Sequence, residues 1–508
     1  MKKLKSVNPT KSQGPDHIHP MVVKTLADVL VTLITIILRK PIQEGGVAHD
    51  WKLANVTAIF KKGDRTDGSN YRPISLTSII CRIMESLLRD AIVSLLVQYN
   101  LIRSSQHGFL CHRSCLTNLL EFLEIVAKFL DDGYSIDLFY LDFSRAFDKV
   151  PHQRLLRKVR SHGITGKLAD WINDWLKDRQ QRVVLNGKAS QWSKVTSGVP
   201  QGSVLGPCLF IIYINDIDLA IDAVLQIKKF ADDTKGCAIV DTDEHCTRIQ
   251  NQLDKIYQWS LDWQMLFNAD KCKVIHIGPQ NPQYDYKIGD NYLKKVEYEK
   301  DLGAYIDRSL TPSMQIAEAV KKANQVLGQL LRAVSYRDKI HFVKLYKQRV
   351  RCHLEHVVQS WSPWLAKDND KLESVQRRAV RCIRGLTGTY EEKLDKIGLT
   401  TLKQRRERGD MIQTFKIVNG IDDVDFNTWF TLLSEERPRP TRSTQQIDED
   451  GSVSSKLTLK AERCRLDVRR YFYSNRVGEP WNRLPEDLKC VSTVNDFKSV
   501  YDELFANG

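Results

Sequence analysis

The chain has 508 residues, which exceeds one ordinary domain and predicts two to four packed units. With 42% hydrophobic and 27% charged residues, its composition is that of a soluble globular protein and excludes a membrane-embedded one. The net charge is +14, and the excess is concentrated in residues 311–420, where 22 lysines and arginines face 11 aspartates and glutamates. A basic segment of this kind predicts a polyanionic partner bound in a salt-dependent way, the alternative being a solvated basic face.

Neither the cysteines nor the apolar runs suggest a secreted or membrane protein. Eleven cysteines are scattered without a zinc-binding spacing, since no second pair follows Cys111 and Cys115 at finger-like distance. We therefore expect reduced thiols in an intracellular protein of the nucleus, the cytoplasm or both. Ala27 to Leu38 is too short for a membrane span and contains Asp28, so it predicts a buried helix. No secretory signal precedes it.

The first elements in chain order are a lead-in segment and a basic hairpin. Residues 1–44 predict a turn and then a helix from about Pro20. Trp51 to Phe60 predict a strand, and after the basic turn 61–65 a second apolar run begins near Arg72. This pattern indicates a β-hairpin with cations at its tip, which could neutralise the charge of a metal-held triphosphate. A merely exposed basic hairpin is the alternative.

A helix and a strand that ends in an acid follow this hairpin. Helical periodicity covers Ile79 to Tyr99, and a loop runs over residues 106–114. The apolar, β-rich run from Ile136 predicts a strand that ends at Asp142, and Asp148 lies six residues further on.

The middle of the chain alternates helices with glycine-rich turns. Leu155 to Lys177 predict one helix, with Trp171 and Trp175 on one face and in the core. An Asn-Gly turn at 186–187 predicts a hairpin. Residues 197–207 then place three glycines within nine residues, just before the apolar helical run Cys208 to Ile214. Such a loop lets the backbone approach a ligand closely, although a plain turn is the alternative.

Two adjacent carboxylates form the tip of a further predicted hairpin. Asp232 and Asp233 separate the apolar run 227–231 from the apolar run 237–240. Alone, the pair could be a solvated turn. With Asp142 on a neighbouring strand, the three acids predict a cluster able to hold two Mg²⁺ ions about 3.5–4 Å apart. Such ions activate an attacking hydroxyl and stabilise a pyrophosphate leaving group, which is the chemistry of nucleotidyl transfer.

The last part of the chain is predicted to be mainly helical. A helix over His245 to Leu266 precedes a turn and strand at 268–277 and a hairpin at 296–307. Residues 312–420 have helical periodicity throughout, with basic residues between apolar ones, and Arg405, Arg406 and Arg408 predict a basic surface. Residues 421–508 contain a Pro/Arg/Ser/Thr-rich passage at 437–445, predicted to be a flexible linker, and a compact end that includes residues 472–481.

Three blocks in this order resemble a known family. They are Leu-Asp-Phe-Ser-Arg-Ala-Phe-Asp-Lys-Val-Pro-His from Leu141, Gly-Val-Pro-Gln-Gly-Ser-Val-Leu-Gly-Pro from Gly198, and Phe-Ala-Asp-Asp from Phe230. They are similar to polymerase motifs A, B and C of reverse transcriptases, more narrowly those of non-LTR (LINE-type) retrotransposons. Phe-Ala-Asp-Asp, in place of the retroviral Tyr-Xaa-Asp-Asp, is common in that branch. The resemblance extends over almost the whole chain.

The resemblance implies an α+β fold of the right-hand polymerase type. Fingers and palm with an antiparallel sheet are expected over 45–305, after the lead-in 1–44. A mainly α-helical, basic thumb is expected over 306–420, followed by a linker and tail over 421–508. The thumb would lie along the RNA–DNA hybrid, whose A-like geometry is recognised through shape and backbone.

The implied activity is RNA-templated addition of deoxynucleotides to a DNA 3′-hydroxyl. Asp142, Asp232 and Asp233 would hold two Mg²⁺ ions, with Mn²⁺ as a possible substitute. Lys271 corresponds best to the motif D lysine that donates a proton near the pyrophosphate, a plain turn lysine being the alternative. Asp148 is expected to tie down the local backbone and not to bind metal.

The nucleotide would be contacted by residues of the fingers and palm. By resemblance, Lys61 and Arg72 bind the triphosphate. Phe147 stacks under the sugar and excludes a ribose 2′-hydroxyl, unless it is a core residue. Gln201 and Gly202 pack beside the nascent base pair. The loop from Gln106 resembles one that contacts the template.

Two alternatives to this function remain open. One is a catalytically silent nucleic-acid-binding relic that kept the fold and charge, and the other is a structural RNA-binding factor like the maturase relatives. The family usually carries an endonuclease ahead of this domain. Because Met1 stands just before the finger motif, we expect none in this chain. Oligomeric state is not predicted.

Overall fold

A computed structural model of the protein describes residues 1–44, 46–433 and 457–505. The predicted linker at 437–445 lies outside these residues. Within them, alternating helices and short sheets form a mixed α/β structure in residues 1–307, and the remainder is mainly helical.

The strands form two five-stranded sheets and two separate hairpins within the described ranges. In chain order the strands are β1 Leu53–Phe60, β2 Tyr71–Leu76, β3 Ile136–Leu141, β4 Gln180–Leu185, β5 Lys188–Ala189, β6 Ser193–Lys194, β7 Gln226–Phe230, β8 Asp233–Ile239, β9 Lys273–Ile277, β10 Lys287–Ile288, β11 Asn291–Tyr292, β12 Lys294–Lys295, β13 Tyr298–Asp301 and β14 Ala304–Asp307. One sheet has the order β2-β1-β4-β5, with β6 also paired to β4. We call the other, β12-β9-β3-β8-β7, the central sheet.

Ten α-helices of the described residues lie before residue 307. They are α1 Lys2–Lys5, α2 Pro20–Thr25, α3 Ala27–Glu44, α4 Ile79–Gln98, α5 Cys115–Asp131, α6 Ala146–Lys149, α7 His152–Ser161, α8 Gly166–Leu176, α9 Gly206–Ile214 and α10 Asp243–Asp262. The predicted single helix over 155–177 is wrong, because α7 ends at Ser161 and α8 begins at Gly166. Gly163, with φ +80°, adopts the left-handed conformation that ends α7. Trp171 and Trp175 are buried, as predicted, and their rings are stacked.

The remaining helices belong to the basic region and the carboxyl-terminal part. They are α11 Ser313–Ala333, α12 His341–Leu345, α13 Cys352–Glu355, α14 Ala366–Arg381, α15 Tyr390–Lys396, α16 Leu402–Val418, α17 Asp467–Arg470, α18 Tyr473–Arg476, α19 Gly478–Asn482, α20 Glu486–Lys489 and α21 Val494–Phe505. A π-helical stretch over Tyr346–Arg351 joins α12 to α13. The helical character predicted for 312–420 is confirmed.

The central sheet is covered on both faces, because successive side chains of β3 point to opposite sides. Phe139 and Leu141 join a core shared with α4 and α7 to α10. Ile136 and Leu138 join a second core built with α5, α16 and the carboxyl-terminal helices. A third core holds α11 to α16 together. The carboxyl-terminal residues are therefore part of the packing that supports the central sheet.

Helix α3 is longer and less buried than the sequence predicts. Ile34 and Leu38 pack into the first core, but Val29, Leu33 and Ile36 are exposed, Val29 by 77%. The prediction of a buried helix is therefore only partly right. Among the described residues, the structure contains no helix with the length and apolar character needed to cross a membrane.

The arginines of α16 do not form the open basic surface that the sequence predicts. Arg406 is buried and donates to Asn369. Arg405 is paired with Glu355, and Arg408 with Asp502 of α21. These three side chains hold α16 against its neighbours, because each one binds a carboxylate or amide of another element of the same chain. Exposed cations lie instead on other helices, at Lys322, Lys344 and Arg381.

Candidate active site

The three acids lie at one end of the central sheet. Strands β3 and β8 are antiparallel neighbours in which Leu141 lies opposite Thr234. Continuing this register by one residue places Asp142 beside Asp233, the first residue of β8. Asp232 belongs to the two-residue turn between β7 and β8. Strand pairing therefore brings together residues that are 90 positions apart in the sequence.

The pKa values of Asp232 and Asp233 are raised first by burial and then by repulsion between the acids. Burial raises the pKa of Asp232, and the charge of Asp142 raises it further. Loss of solvent around the carboxylate raises the pKa of Asp233 to about 6, with additional repulsion from Asp232, Asp301 and Asp142, although the residue as a whole stays exposed. In both cases the ionised carboxylate is destabilised, so a bound proton or a nearby cation stabilises it.

Lys271 supplies one such positive charge. It ends a short 3₁₀ turn just before β9, which pairs with β3 on the side away from β8. Its Nζ lies 3.1 Å from Oδ1 of Asp142, and the Lys271 side chain is 58% exposed. The backbone N–H of Asn268 donates to the carbonyl oxygen of Asp142 at 2.7 Å, which fixes the turn against β3. The structure thus places Lys271 beside Asp142, and its role as a proton donor stays a prediction.

A divalent cation fits the chemistry of this donor set, which consists of oxygens that repel one another. Over residues 1–44, 46–433 and 457–505, however, no three His, Cys, Asp or Glu side chains are arranged as a metal-binding group. The three carboxylates predicted to form a cluster are therefore near one another, but their side chains are not arranged to coordinate one ion together. The ammonium of Lys271 already contacts the Asp142 carboxylate. A metal ion bound by Asp142 would therefore have to share this carboxylate with Lys271 or displace the ammonium.

Two exposed cations of the β1–β2 hairpin act electrostatically on Asp232. Arg72 pairs with Ile59 across the hairpin, and Lys61 directly follows β1. The charges of both lower the pKa of Asp232, against the larger effect of burial. The predicted basic hairpin therefore exists, and its two cations act on the acid at the turn.

Phe147 lies on α6, five residues after Asp142, and is half-buried. Its ring stacks on Phe210 of α9, with centroids 4.3 Å apart, and meets Phe109 edge-on at 6.0 Å. The ring therefore packs on the core, as one of the two sequence interpretations expects, and because the residue stays partly open to solvent its role beside the sugar stays a prediction.

The loop with Gln201 and Gly202 is bound to β2. The Ser75 N–H donates to the Gln201 carbonyl at 2.6 Å, and Gly202 has φ +113°. A Cβ on Gly202 would lie 2.6 Å from the Ser75 carbonyl oxygen, so a side chain there is excluded. Nε2 of Gln201 donates to Asp148 at 2.9 Å. Asp148 thus holds the Gln201 loop, whereas the sequence predicted that it ties down its own local backbone.

The contact between Gln106 and the Ala231 turn was not predicted from the sequence, which suggested that this loop contacts the template. Gln106 and His107 are each 1% exposed, so neither side chain is available to a template in this structure. The Gln106 amide instead binds the backbone of Ala231, beside Asp232. The only hint in the sequence is the Gln-Xaa-Gly pattern, since a glycine often marks a close approach of two backbones.

Comparisons with known proteins found a matching family model and curated relatives. Residues 59–331 match the family model described as reverse transcriptase (RNA-dependent DNA polymerase). The RNA-directed DNA polymerase from mobile element jockey of Drosophila melanogaster is 25% identical over 391 residues, which are 74% of this chain and 42% of that protein. Its Drosophila funebris counterpart is 27% identical over 398 residues, covering 75% and 43% of the two chains.

A further relative matches over a similar length and with similar identity. The probable RNA-directed DNA polymerase from transposon X-element of Drosophila melanogaster is 25% identical over 389 residues, covering 74% of this chain and 42% of that protein. The chain thus matches less than half the length of these relatives. Among solved structures, apo telomerase from Candida tropicalis, truncated from its C-terminal domain, has a TM-score of 0.38 and 10% identity, covering 58% of this chain and 61% of that one.

Proposed function

Because this chain belongs to the reverse transcriptase family, we propose that it is the RNA-directed DNA polymerase of a non-LTR retrotransposon. It would add deoxynucleotides to a DNA 3′-hydroxyl on an RNA template. The observation that carries the proposal is the meeting of Asp142, at the end of β3, with Asp233 and Asp232, at the start of β8 and in the turn before it, within electrostatic range of the cations of the β1–β2 hairpin. Acids and cations so placed suit a polyanionic substrate that arrives with a metal ion.

Reverse transcriptases use divalent metal ions, and we propose two Mg²⁺ ions here, with Mn²⁺ as a substitute. Asp142, Asp232 and Asp233 would hold them, because their oxygens are hard ligands whose mutual repulsion a cation relieves. When bound, such ions lower the pKa of the attacking hydroxyl and stabilise charge on the leaving phosphates. The chain's own part is to hold the three carboxylates at fixed strand ends.

The other predicted residues have roles that suit their positions. Arg72 and Lys61 would bind the triphosphate, since both are exposed and act electrostatically on Asp232. Lys271 would donate a proton from Nζ to the departing pyrophosphate, and its exposure leaves it free to reorient. The pinned loop at Gln201 and Gly202 would present a rigid backbone to the nascent base pair.

The partners follow from this reaction: an RNA template, a DNA primer and deoxynucleotides. We assign fingers and palm to 45–305 and a thumb to 306–420, after the lead-in 1–44 and before a carboxyl-terminal part at 421–508. Exposed cations such as Lys322, Lys344 and Arg381 support contact between the thumb and the RNA–DNA hybrid. The nucleus or the cytoplasm would supply both nucleic acids and keep the thiols reduced.

The test is primer extension on an RNA template with dNTPs and Mg²⁺. Extension by the parent chain, and none by Asp232→Ala/Asp233→Ala, would establish both the polymerase activity and its dependence on these two acids. Salt-sensitive binding of an RNA–DNA hybrid without extension would instead favour the silent nucleic-acid-binding relic.

Replacing Arg72 with alanine should raise KM for dNTP by about tenfold or more, because a charge-assisted contact to phosphate is lost from a partly desolvated site. The KM of the primer should stay near its parental value. Steady-state extension at varied dNTP concentration measures both. Lys62→Ala is the matched control, since Lys62 is an equally exposed cation beside Lys61 and should change KM for dNTP less than about threefold. Equal effects of the two variants would contradict the role of Arg72.

Replacing Phe147 with valine should increase incorporation of ribonucleotides relative to deoxynucleotides by about tenfold or more, because a smaller side chain leaves room for a 2′-hydroxyl. The ratio of kcat/KM for a matched rNTP and dNTP measures the effect. Phe109→Val is the control: it removes the edge contact to Phe147 but leaves the Phe147–Phe210 stack in place. An unchanged ratio in Phe147→Val would show that the ring serves only in packing.

A further inference from the structure

We propose that Gln106 is a positioning residue that holds the Ala231–Asp232 turn in the conformation needed to bind metal. This inference rests on the proposed function and adds a residue from a separate loop to the reaction. The Gln106 side chain is 1% exposed, and Gln106 lies along the edge of β7 that is not paired with β8, where it bridges to Lys229.

The contacts of Gln106 satisfy both backbone groups of Ala231. Oε1 of Gln106 accepts the Ala231 N–H at 2.9 Å, and Nε2 donates to the Ala231 carbonyl at 3.3 Å. Oε1 also accepts the N–H of Gly108 at 2.7 Å, which orients the amide. Because Ala231 lies in the turn, its polar groups are outside the β7–β8 ladder and need partners elsewhere. The buried amide provides them.

Ala231 has the conformation that most needs such support. Its φ is +56°, a left-handed value that is unfavourable for a residue with a Cβ. Asp232 follows it directly, so any relaxation of Ala231 would redirect the Asp232 carboxylate. A residue held in a sparsely populated conformation persists only where its surroundings enforce it.

The loop that carries Gln106 is itself rigidly attached. Lys229 N–H donates to the Ser105 carbonyl at 2.8 Å, and His107 N–H donates to the Lys229 carbonyl at 2.9 Å. Arg113 donates to the carbonyl of Gln106 at 2.8 Å. Gly108 approaches so closely that a Cβ there would lie 2.3 Å from Ala231 N. These contacts join the loop to the turn as one unit.

The chain offers a matched control in Asn118 of α5. Its side chain is 0% exposed, and its Nδ2 donates to the Lys229 carbonyl at 3.0 Å. It is therefore a buried amide that binds the same strand, β7, at Lys229, two residues before Ala231, and does not bind the turn. A merely structural role for Gln106 predicts that the two positions respond alike, whereas a positioning role predicts that only Gln106 affects metal binding.

The experiment compares the parent chain with Gln106→Met and Asn118→Leu. Mn²⁺ binding is followed by loss of the free-ion electron paramagnetic resonance signal, kcat and KM by extension on RNA, and folding by thermal unfolding. Gln106→Met should weaken Mn²⁺ binding and lower kcat by about tenfold or more, with KM for dNTP nearly unchanged, as residues that orient metal ligands do. Asn118→Leu should lower the unfolding temperature to a similar extent and change Mn²⁺ affinity and kcat less than about threefold.

Gln106→Asn, one methylene shorter, is the second variant if Gln106→Met does not fold, and the same losses are expected from it. Parental Mn²⁺ affinity in the Gln106 variants, or equal losses in Asn118→Leu, would overturn the inference. Mn²⁺ binding by a parent chain that does not extend a primer would overturn the proposed function alone, and the variants would still decide the role of Gln106. No Mn²⁺ binding by the parent would overturn the inference itself.

Discussion

Replacing Asp232 and Asp233 together with asparagine should reduce RNA-templated extension by on the order of 10³-fold or more, since the charge that holds the metal ions is removed. Binding of an RNA–DNA hybrid should remain within a few-fold of the parent, because that surface lies elsewhere. Single-turnover extension and hybrid binding at fixed salt measure the two effects. A variant that retained a tenth of the parental rate would show that these acids are not the metal ligands.

A control must remove two negative charges elsewhere on the same part of the fold. Asp254→Asn/Asp262→Asn serves, since both residues are exposed on α10 and each accepts a hydrogen bond from a glutamine four residues earlier. We expect parental extension from it. Comparable losses in the two double variants would attribute the effect to net charge and not to the site.

The same acids should make the stability of the metal-free protein depend on pH. The pKa of Asp233 is raised to about 6 in the folded chain, so the folded state binds its proton more tightly than the unfolded state. Asp233 therefore destabilises the fold above pH 6, and this cost disappears as the pH falls from about 6 towards 4. Chemical unfolding of the parent and Asp233→Asn across this window should show the variant gaining stability mainly at neutral pH. A difference independent of pH would contradict the raised pKa.

Replacing Trp481 with alanine should lower the free energy of unfolding by about 3–5 kcal/mol, as expected for truncation of a large buried aromatic side chain. The Trp481 side chain is fully buried, stacks near Phe497 of α21, and donates from Nε1 to the Leu457 carbonyl at 3.0 Å. Its core also contains Phe122 of α5 and Leu138 of the central sheet. The loss should therefore appear in the unfolding of the sheet itself.

Denaturant unfolding measures this effect, with Trp192→Ala as the control. Trp192 is 37% exposed and meets Arg182 through a cation–π contact, so its loss should cost about 1 kcal/mol or less. If Trp481→Ala caused only a separate early transition and left the main transition unchanged, the carboxyl-terminal helices would be an independent unit.

Local elements were predictable wherever hydrophobic period and turn residues agree. The β1–β2 hairpin, β3, the β7–β8 hairpin and α9 lie where the sequence places them, because alternation, an acidic or basic turn and a glycine-rich entry all indicate the same structure. The break between α7 and α8 was missed because the apolar positions keep a helical spacing across it. There Gly163 ends α7, and its positive φ outweighs the periodicity.

Burial of charged and polar side chains was the least predictable property. Arg405, Arg406 and Arg408 read as a basic surface, but each has a partner that is distant in the sequence, at Glu355, Asn369 and Asp502. Gln106 read as part of a template loop, yet it is buried against Ala231. Long-range pairing decides such cases, and a single sequence carries no record of it.

The sequence by itself determined the family, because three motifs that contain Asp142, Asp232 and Asp233 match reverse transcriptases. Only the tertiary structure decided how those acids meet and what holds them. The order β9-β3-β8 brings Asp142 between Lys271 and Asp233, and a loop outside the motifs supports the turn at Ala231. The physical reason is that strand pairing and buried hydrogen bonds act between residues that are close in space, whatever their separation along the chain.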